Sequence, residues 1–463
     1  METVQSIVDA ANGILWGPPM LILLVGVHIY LTIRLRFIQA HTFKGIKLTF
    51  KKDAAATGDV SQFSALTLAL SATLGTGNII GVATAVARGG PGAVFWLWIT
   101  GLFGIATKYG EALLAIKYRV KTSDGTMLGG PMYAIERGLK MKWLGVLFAM
   151  FATIACFGIG NLVQVNSITE NFQETLGIPR IATGIFVCVL TMIVIVGGIR
   201  SIAKVAEKII PAMALFFLAG NLVILFLNCD FILPAIALIL KSAFSEQAVE
   251  GGLIGYAIQQ AIRFGIARGL FSNEAGLGSS PIAAAAATTI NPVRQALVSM
   301  SQVFWDTIIL CAITGTMYVT CILKYPETFI IDGRAINGAL IAAKAFALIP
   351  VVGPIVLTVV IFTFAWTTII GWEYYGERCI EYLGGKKLLM PFRVIYGLMA
   401  FIGAVVALNL VWDIADAFNA LMAIPNLISL LALSGVIVAV TREYLWNNNL
   451  DKVDPEPIMV IKN

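Results

Sequence analysis

The chain has 463 residues, of which 58% are hydrophobic and only 13% are charged, and its mean hydropathy is +0.87. So few charges cannot cover the surface of soluble domains, and together with long apolar runs they indicate a polytopic membrane protein. The net charge of +6 does not indicate a nucleic-acid-binding protein, because the cations lie in loops between apolar runs and form no basic face.

Mostly apolar segments of about 18 residues or more predict an all-α protein with eleven transmembrane helices. The first segment follows Glu2 and Asp9 and has its cations behind it, so we predict a retained helix rather than a cleaved signal peptide. We place the segments at residues 15 to 35, 62 to 88, 92 to 117, 143 to 169, 180 to 199, 207 to 228, 253 to 291, 296 to 322, 346 to 373, 391 to 410 and 414 to 440.

Lysine and arginine residues concentrate in the loops on one side of this threading and in the C-terminal segment. Loops rich in these cations stay in the cytoplasm. We therefore predict a multi-pass protein of the plasma membrane with its N-terminus outside and its C-terminus in the cytoplasm. The polar tail from Asn447 is expected to be mobile, and the amphipathic segment at residues 231 to 244 is expected to lie along the outer surface.

The second segment is interrupted at its centre by Leu74-Gly75-Thr76-Gly77-Asn78. Glycine weakens a helix, and no water can replace the lost hydrogen bonds inside a bilayer, so we predict a break there. The glycines could instead serve helix packing, but Gly75 and Gly77 are two residues apart and cannot share a helix face. A second break of the same kind is predicted at residues 271 to 278, in the seventh segment.

Without the first segment, the remaining ten divide into two groups of five, and each group begins with a broken segment. An odd number of spans makes the two groups run in opposite directions, as an inverted repeat requires. The predicted organisation is an extra N-terminal transmembrane helix with a basic cytoplasmic loop at 1–60, a first five-helix repeat at 61–229, an extracellular loop at 230–250, a second five-helix repeat at 251–441, and a cytoplasmic tail at 442–463.

Two interrupted segments in matching halves are the best pointer to the binding site of a transporter. The half-helix after Gly77 presents its first N–H groups at mid-membrane depth, where they suit a carboxylate. The half-helix that ends near Phe271 presents carbonyl groups, which suit an ammonium group. Together the breaks predict a site for a small amino acid zwitterion. Carbonyls at the helix end before Leu74, with the hydroxyls of Thr367 and Thr368, suit a monovalent cation.

Several of these side chains have a purely structural alternative. Asn78 could be a polar contact between helices, and the two threonines could donate to the preceding turn of their own helix. The rings of Trp366 and Phe271 could pack in the core instead of lining a pocket. Glu274 is costly in a membrane, which favours a function, but a structural pair with Arg268 is an equal alternative.

Other ionisable or reactive residues receive no role in transport. Lys108, Glu111 and Asp306 lie inside predicted spans and can pair internally. The six cysteines contain no CxxC pair and are expected to be reduced, although Cys229 and Cys321 could both lie near the outer face and form a disulfide.

Two strings connect the chain to a known family. One is Gly-Gly-Pro-Gly-Ala-Val-Phe-Trp-Leu-Trp at residues 89 to 98, and the other is Gly-Leu-Phe-Ser-Asn-Glu-Ala-Gly-Leu-Gly-Ser at residues 269 to 279. With them the chain resembles, over nearly its whole length, the alanine or glycine:cation symporter family, a branch of the amino acid-polyamine-organocation superfamily with the LeuT-type five-plus-five inverted repeat. The second string is near diagnostic, whereas Leu97 in the first stands where the family usually has Met.

The resemblance implies Na⁺-coupled uptake of alanine or glycine by alternating access, and we expect the protein to act as a monomer in the lipid bilayer. By analogy, the substrate carboxylate meets Gly75, Thr76 and Gly77, and the amine meets carbonyls at Thr73, Phe271 and Ser272. Asn78 matches a position that serves a second sodium site in some relatives, so whether one or two Na⁺ ions move per transport cycle is left open. Further predicted substrate contacts are Gln164, Glu274, Gly276 and Trp366. The predicted Na⁺ ligands are carbonyls near Ser71, Leu74 and Phe364 and the hydroxyls of Thr367 and Thr368.

A membrane-embedded enzyme is the competing class. The only histidines, His28 and His41, lie in the N-terminal addition, and the sequence has no HExxH or GxGD motif, so histidine-based chemistry has no partner in the core. A channel needs a continuous polar path, and the segments lack a repeated polar face. Among transporters, the alternative is a proton-coupled amino acid carrier or exchanger that uses Glu274.

Overall fold

A computed structural model describes residues 2–51, 56–244, 258–331, 334–406 and 409–461 of the chain, and these ranges are predominantly helical. The helices up to the second half are α1 (Glu2–Leu15), α2 (Pro18–Arg34), α3 (Thr42–Leu48), α4 (Gln62–Thr73), α5 (Val82–Gly89), α6 (Gly92–Lys117), α7 (Pro131–Ala134), α8 (Lys142–Phe157), α9 (Val163–Leu176), α10 (Arg180–Ile195), α11 (Gly198–Leu227) and α12 (Ile232–Ser242). The remaining helices are α13 (Ile258–Asn273), α14 (Pro281–Ala285), α15 (Pro292–Val303), α16 (Ala312–Lys324), α17 (Pro326–Phe329), α18 (Gly338–Ala347), α19 (Val352–Gly384), α20 (Leu389–Val405), α21 (Asn409–Ala432) and α22 (Ser434–Thr441).

Shorter elements complete the backbone. Turns of π-helix span Gly77–Gly81, Ile135–Leu139, Gly158–Leu162, Phe304–Cys311 and Arg442–Trp446, and 3₁₀ turns span Ile38–His41, Cys229–Phe231 and Lys386–Leu388. The strands are β1 (Val120–Thr122), β2 (Met127–Leu128), β3 (Ile330–Ile331), β4 (Arg334–Ala335) and β5 (Met459–Ile461). Strand β1 lies between β2, which is antiparallel to it, and β5, which is parallel to it, and β3 pairs with β4.

Length and hydropathy support most of the predicted membrane spans but not their exact number. In the described ranges, eight helices are long and apolar enough to cross a bilayer, and a ninth span forms if the bent pair from α4 to α5 is counted as one. Helix α10 is apolar but has only 16 residues, and the predicted span at 253 to 291 begins outside the described residues and contains a break. The count of eleven therefore stays a prediction.

The first predicted break is confirmed. Helix α4 begins after Ser61, whose side chain accepts the N–H of Ser64, and ends at Thr73. Helical structure resumes with the π-helical turn at Gly77, and the two pieces enclose an angle of 55°. The residues between the two pieces lack the regular hydrogen bonds of a helix, as the glycine content predicts.

The second predicted break is confirmed as well. Helix α13 ends at Asn273, and the chain turns through Glu274, Gly276 and Gly278, which have positive φ angles of 56°, 89° and 87°. Glycine adopts such angles without strain, whereas the left-handed conformation is unfavourable for Glu274 because its Cβ atom crowds the backbone. Helix α14 then begins at Pro281, which suits the first turn of a helix because it has no N–H to leave unpaired.

The two halves of the chain pack into one another. Helix α4 packs against α11, α15 and α19, while α13 packs against α5 and α6, and the N-terminal helix α2 lies on α6. Residues of each half therefore line the same interior. This packing does not test the inverted repeat, the domain limits or the outer position of α12, which stay predictions. Residues 245–257, which belong to the predicted loop at 230–250 and the predicted repeat at 251–441, lie outside the described residues.

The prediction of a mobile tail is wrong. Strand β5 pairs with β1, and the side-chain amide of Asn291 donates to the carbonyls of Leu450 and Lys452 at 2.9 Å each. Asp451 accepts from Lys51 and Arg294. The tail is held by main-chain bonds to distant loops, and composition carries no information about such bonds. It thereby contacts the basic loops around Lys51, Lys117 and Arg294, and we call the end of the helix bundle where they meet the basic end.

Candidate functional site

The two broken helices meet at their breaks. A Cβ atom on Gly77 would lie 3.1 Å from Cδ1 of Phe271, so the ring of the second break rests directly on the backbone of the first. The side-chain amide of Asn78 donates to the hydroxyl of Ser272 at 3.1 Å. The structure thus brings together the two segments that the sequence singled out, although they lie far apart in the chain.

A cavity of about 10 Å³ lies between the breaks, which is room for about one water molecule. It contains six of the predicted substrate contacts and one predicted Na⁺ ligand. The lining residues are Ala72, Thr73, Gly75, Gly77, Ile159, Gln164, Phe271, Glu274, Leu277, Thr368, Trp372 and Asn419. A ligand larger than water requires these side chains to move apart, so the structure represents a site closed around very little space.

Hydrogen-bond donors of the first break point at oxygen atoms. The Gly75 N–H donates to Oδ1 of Asn78 at 3.1 Å, and the Thr76 hydroxyl and N–H lie 3.2 and 3.5 Å from Oε1 of Gln164. Gln164 is itself oriented by a bond from its amide nitrogen to the carbonyl of Ile159. These donors satisfy neutral amide oxygens here, and a carboxylate can accept the same hydrogen bonds more strongly because it is charged.

Oxygen atoms of the predicted cation site lie close together. The Thr368 hydroxyl is 2.9 Å from the Phe364 carbonyl and 3.4 Å from the Leu74 carbonyl, and the Thr367 hydroxyl is 3.0 Å from the Phe364 carbonyl. Two of these contacts are the bonds to the preceding helical turn that the structural alternative predicts. Each hydroxyl still has lone pairs for a cation, because donation uses only its hydrogen.

Ser71, the remaining predicted Na⁺ ligand, lies two residues before the end of α4 at Thr73. In a continuous helix the N–H of Gly75 would bond to that carbonyl, but it donates to Asn78 instead. A Cβ atom on Gly371 would lie only 2.5 Å from the Ser71 hydroxyl, so α19 packs closely at this level. The break therefore leaves the Ser71 carbonyl without the N–H of Gly75 as its helical partner, and free backbone oxygen is what a cation site requires.

Asp306 contacts the predicted site residues Asn78 and Ser272, although the sequence analysis considered only an internal pair for it and assigned it no role in transport. It is fully buried, and its carboxylate accepts from the Asn78 amide at 2.6 Å and from the hydroxyls of Ser272 and Thr307 at 2.9 and 2.7 Å. Its position inside an apolar span was the available signal, because ionisable residues at membrane depth are functional candidates by default.

Lys108 and Glu111 do pair internally, with 3.8 Å between Nζ and Oε2. Glu111 also accepts from the backbone N–H groups of Gly276 and Gly278 at 3.0 and 3.1 Å. Gly276 was predicted to contact the substrate, but the structure places it against Glu111 and Leu24, outside the cavity. Gly276 has a positive φ of 89° and lies in the turn between α13 and α14, so the glycine supports the turn instead, although its neighbour Leu277 does line the cavity.

Glu274 lines the cavity and is buried. Its carboxylate accepts from the hydroxyl of Ser279 at 2.6 Å, and no ion pair with Arg268 is found in the described part of the chain. The structural alternative of a Glu274–Arg268 pair is therefore wrong. Arg268 instead lies over the ring of Phe271, at 5.7 Å from its centroid.

Trp366 does not reach the cavity. Its ring stacks on Phe362, with 6.3 Å between centroids, whereas Trp372 lines the cavity. Successive residues of a helix are about 100° apart, so Trp372 shares a face of α19 with Thr368 and Trp366 lies on the other side. Adjacency in sequence to the two threonines misled the prediction, because neighbours in a helix point in different directions.

Two further cavities continue from the site toward the end opposite the basic end. One of 140 Å³ shares Gly77 and Phe271 with the site and also contains Glu170 and Arg268. The next, of 280 Å³, contains Arg268 and Phe271 and is bounded by α1. Phe271 lines all three cavities and lies between the central cavity and the two larger ones.

Comparisons with known proteins agree with this geometry. The chain matches the profile described as "Sodium:alanine symporter family" over residues 1–457. It is 50% identical over 447 residues to "Sodium/alanine symporter AgcS" of Methanococcus maripaludis, with 95% of this chain and 97% of that protein covered. It is 36% identical over 463 residues to "Probable sodium/glutamine symporter GlnT" of Bacillus subtilis, with 98% of this chain and 93% of that protein covered.

A solved structure with a similar fold is that of MhsT in complex with L-phenylalanine. The TM-score is 0.56 at 13% sequence identity, and the match covers 86% of this chain and 93% of the other. At this identity the likeness concerns the fold alone, which is that of the LeuT-type transporters.

Proposed function

Because the chain belongs to the sodium:alanine symporter family, a family of Na⁺-coupled amino-acid transporters and not of enzymes, we propose that it carries alanine or glycine into the cell together with Na⁺ by alternating access. The relatives named for alanine and for glutamine show that family membership leaves the side chain of the substrate open. The choice of a very small amino acid therefore has to come from the site.

The observation that carries the proposal is the cavity enclosed by the two breaks. Its volume of about 10 Å³ leaves no compartment for a long side chain, and Ile159, Leu277 and Trp372 bound it with apolar surface. An amino acid whose side chain is a hydrogen or a methyl group needs the smallest rearrangement to enter. Larger substrates would have to displace the indole of Trp372 or the backbone itself.

The charged ends of the substrate find partners of opposite polarity. The N–H groups at Gly75, Thr76 and Gly77 suit the carboxylate, because they begin a half-helix whose dipole is positive there. The carbonyls at Phe271 and Ser272 end the other half-helix and suit the ammonium group. Thr73 supplies a further carbonyl at the end of α4. The substrate thus supplies hydrogen-bond partners for backbone groups that have no helical partner at the two breaks.

Na⁺ is proposed to bind at the oxygens of Leu74, Phe364, Thr367 and Thr368, with the Ser71 carbonyl beside them. One Na⁺ moved across about 100 mV releases roughly 2.3 kcal/mol. A tenfold Na⁺ gradient adds about 1.4 kcal/mol, so accumulation of several hundredfold is attainable. A second ion is an open part of the proposal, because Asn78 and the Asp306 carboxylate place charged and polar oxygen near Ser272.

Purified protein in liposomes tests the proposal. An inward Na⁺ gradient without a pH gradient should drive accumulation of labelled alanine, and an equal choline gradient should not. Unlabelled glycine and alanine should compete for uptake, whereas glutamine and phenylalanine should compete at least tenfold less well. Equal competition by all four amino acids would contradict the proposed substrate class.

A proton-coupled carrier or exchanger is the second candidate, and Glu274 favours it because this buried carboxyl lines the cavity. In that case uptake should follow a pH gradient without Na⁺, and Glu274→Gln should abolish the dependence on pH. Uptake that needs Na⁺ and remains Na⁺-dependent in Glu274→Gln would exclude this candidate.

We further propose that the basic end faces the cytoplasm and that the protein works as a monomer in the plasma membrane. The distribution of Lys and Arg supports this orientation. The cavities of 140 and 280 Å³ beyond Phe271 then face the outside and form the entry route that uptake requires. Na⁺ and the amino acid are the proposed small-molecule partners, and the lipid bilayer is the surroundings.

A further inference from the structure

At the basic end, a short main-chain pairing joins the two broken helices. Residues 56–61, which lead into α4, lie beside residues 286–289, which follow α14, and we call this pairing the clasp. Its bonds run from the Asp59 N–H to the Ala286 carbonyl (2.8 Å), from the Val60 N–H to the Ala286 carbonyl (3.2 Å), from the Thr288 N–H to the Val60 carbonyl (2.7 Å) and from the Thr289 N–H to the Thr57 carbonyl (3.3 Å).

The two chains of the clasp approach unusually closely at Gly58. A Cβ atom there would lie 2.4 Å from the Thr288 nitrogen and 2.5 Å from the Ala287 carbonyl oxygen. Both neighbours are backbone atoms and cannot turn aside as a side chain can. The contact is therefore a fitted backbone junction between the two halves.

Arg119 fastens this junction from a third element. It follows α6, and its side chain is nearly buried, at 5% exposed. Nη1 donates to the carbonyls of Ala285 and Ala287 at 3.1 and 2.8 Å, and Nη2 donates to the carbonyl of Thr57 at 3.0 Å. One planar guanidinium thus bonds to both strands of the clasp from two nitrogens held in a fixed fork, a geometry that the single nitrogen of a lysine ammonium group does not offer.

The charge of Arg119 is retained in this position. Burial lowers its pKa to about 10, while the nearby carboxylates of Asp59 and Asp454 act in the opposite direction. The group is therefore protonated at neutral pH and makes charge-assisted bonds. Its hydrogen-bond partners in the clasp are neutral carbonyls and the Thr57 hydroxyl, and these bonds can exchange to water when the strands separate.

The clasp lies where a substrate would have to leave. The central cavity is bounded by the breaks, and α4 and α14 are the half-helices that run from the breaks to the basic end. Their ends are joined by the clasp, whereas cavities of 140 and 280 Å³ continue from Phe271 to the opposite end. At the basic end, a cavity of 640 Å³ reaches Thr57, Arg119 and Thr289 but shares no lining residue with the central cavity, so the clasp region closes the path between the two, and parting α4 from α14 requires the clasp to open.

We propose that Arg119 is a positioning residue that holds the clasp shut and so sets the equilibrium between the outward-facing and inward-facing forms. The proposal rests on the proposed function, since it assigns a step of alternating access to this junction. Weakening Arg119 raises the inward-facing population, and locking the clasp stops the cycle after substrate binding.

A reversible cross-link tests the clasp directly. Thr57 and Thr289 are opposite each other in an antiparallel bridge, so the double variant Thr57→Cys/Thr289→Cys, with Cys188 and Cys229 changed to serine, places two thiols across it. Oxidation should abolish alanine uptake while Na⁺-dependent alanine binding persists, and a reductant should restore uptake. The single variant Thr57→Cys should be unaffected by oxidation. Full uptake by the cross-linked protein would overturn the proposal.

Thiol accessibility tests Arg119 itself. In the same cysteine background, Val60→Cys places a thiol at the clasp, where Val60 is buried. Adding Arg119→Gln should raise the rate of labelling from the basic end at least about tenfold, which corresponds to a shift of about 1.4 kcal/mol in the equilibrium between the closed and the open clasp. Na⁺ should still slow the labelling. Lys121→Gln, which removes a neighbouring cation that does not touch the clasp, should change the rate less than twofold.

The outcomes separate the two proposals. An unchanged labelling rate in Arg119→Gln, with alanine binding intact, would overturn the role of Arg119. Arg119→Lys keeps the charge without the fork and should resemble Arg119→Gln, whereas normal labelling in this variant would also speak against the proposal. A wild-type protein that binds no alanine with Na⁺ would instead overturn the proposed function.

Discussion

At the scale of single residues, Thr368 and Gly75 determine the shape of the site together. The Thr368 hydroxyl lies 3.4 Å from the Leu74 carbonyl across two helices, and a Cβ atom on Gly75 would come within 2.6 Å of that hydroxyl. The backbone can therefore offer its carbonyl to a cation only because position 75 lacks a side chain. Each of the two residues makes a separate prediction.

Removing the Thr368 hydroxyl should weaken Na⁺ binding selectively. Valine keeps the shape of threonine, and the loss of one oxygen ligand should raise the Na⁺ concentration for half-maximal alanine uptake at least about tenfold. Uptake in liposomes over a range of Na⁺ concentrations measures this effect. Thr363→Val is the matched control, because its hydroxyl donates to the Val359 carbonyl away from the site. Equal Na⁺ dependence in both variants would contradict the assignment.

A methyl group at the break should be far more harmful than one a turn and a half away. Gly75→Ala directs a carbon at the Thr368 hydroxyl, whereas the nearest atom to a Cβ on Gly81 is 3.9 Å away. We expect Gly75→Ala to lower Na⁺-dependent alanine binding by about two orders of magnitude, roughly 2.7 kcal/mol. Gly81→Ala should bind within about twofold of wild type, since 3.9 Å is ordinary contact. Comparable loss in both variants would show that helix packing, not the site, needs the glycines.

At the scale of elements, the polar contacts of Asp306 connect three helices. Asp306 lies in the π-helical turn between α15 and α16, and its carboxylate accepts from Asn78 in the first break and Ser272 in the second. Wider turns of this kind often occur at functional sites because they turn side chains out of the regular helical register. The carboxylate therefore couples the positions of the two half-helices.

Asp306→Asn should disturb both breaks at once. One carboxylate oxygen becomes an NH₂ group, which cannot accept the hydrogen bonds made to that oxygen, and an unsatisfied buried polar group costs about 1–3 kcal/mol. We expect a lower apparent melting temperature of the purified protein and at least about tenfold weaker alanine uptake. Asp230→Asn, at an exposed carboxylate, is the control and should change neither quantity. Wild-type uptake by Asp306→Asn would mean that the carboxylate is dispensable.

At the scale of the whole molecule, the basic loops and the tail form one surface. Strand β5 pairs with β1, Lys117 and Glu456 form an ion pair at 2.7 Å, and Lys386 pairs with Asp124. The Lys386 contact holds the pKa of Asp124 below its usual range, so this contribution is present above the unfolded pKa and is lost only as pH falls below that range. The surface should therefore remain assembled near neutral pH.

The orientation of the molecule makes a labelling prediction. Cys229 is exposed beyond the end of α11, on the side predicted to be outside, so a membrane-impermeant maleimide should label it in intact cells. Ser123 is exposed in the turn between β1 and β2. In a Cys229→Ser background, Ser123→Cys should be labelled only after the cells are permeabilised. The reverse pattern would place the basic end outside and contradict the proposed direction of transport.

The sequence by itself was enough to predict the class, the two breaks and the family. Apolar length and charge asymmetry are properties of single segments, and glycines in an apolar run signal a break wherever the segment packs. For the same reason Gly75, Gly77 and Phe271 could be named as candidates before any contact was known.

Only the tertiary structure decided which side chains share the site. It brought Asp306 to Asn78 and Ser272, placed Trp372 rather than Trp366 at the cavity, and turned Gly276 toward Glu111. It also joined the tail to β1 and fastened the clasp with Arg119. These contacts join residues distant in the chain or depend on the rotation of a helix about its axis, and neither is encoded in the pattern of one segment.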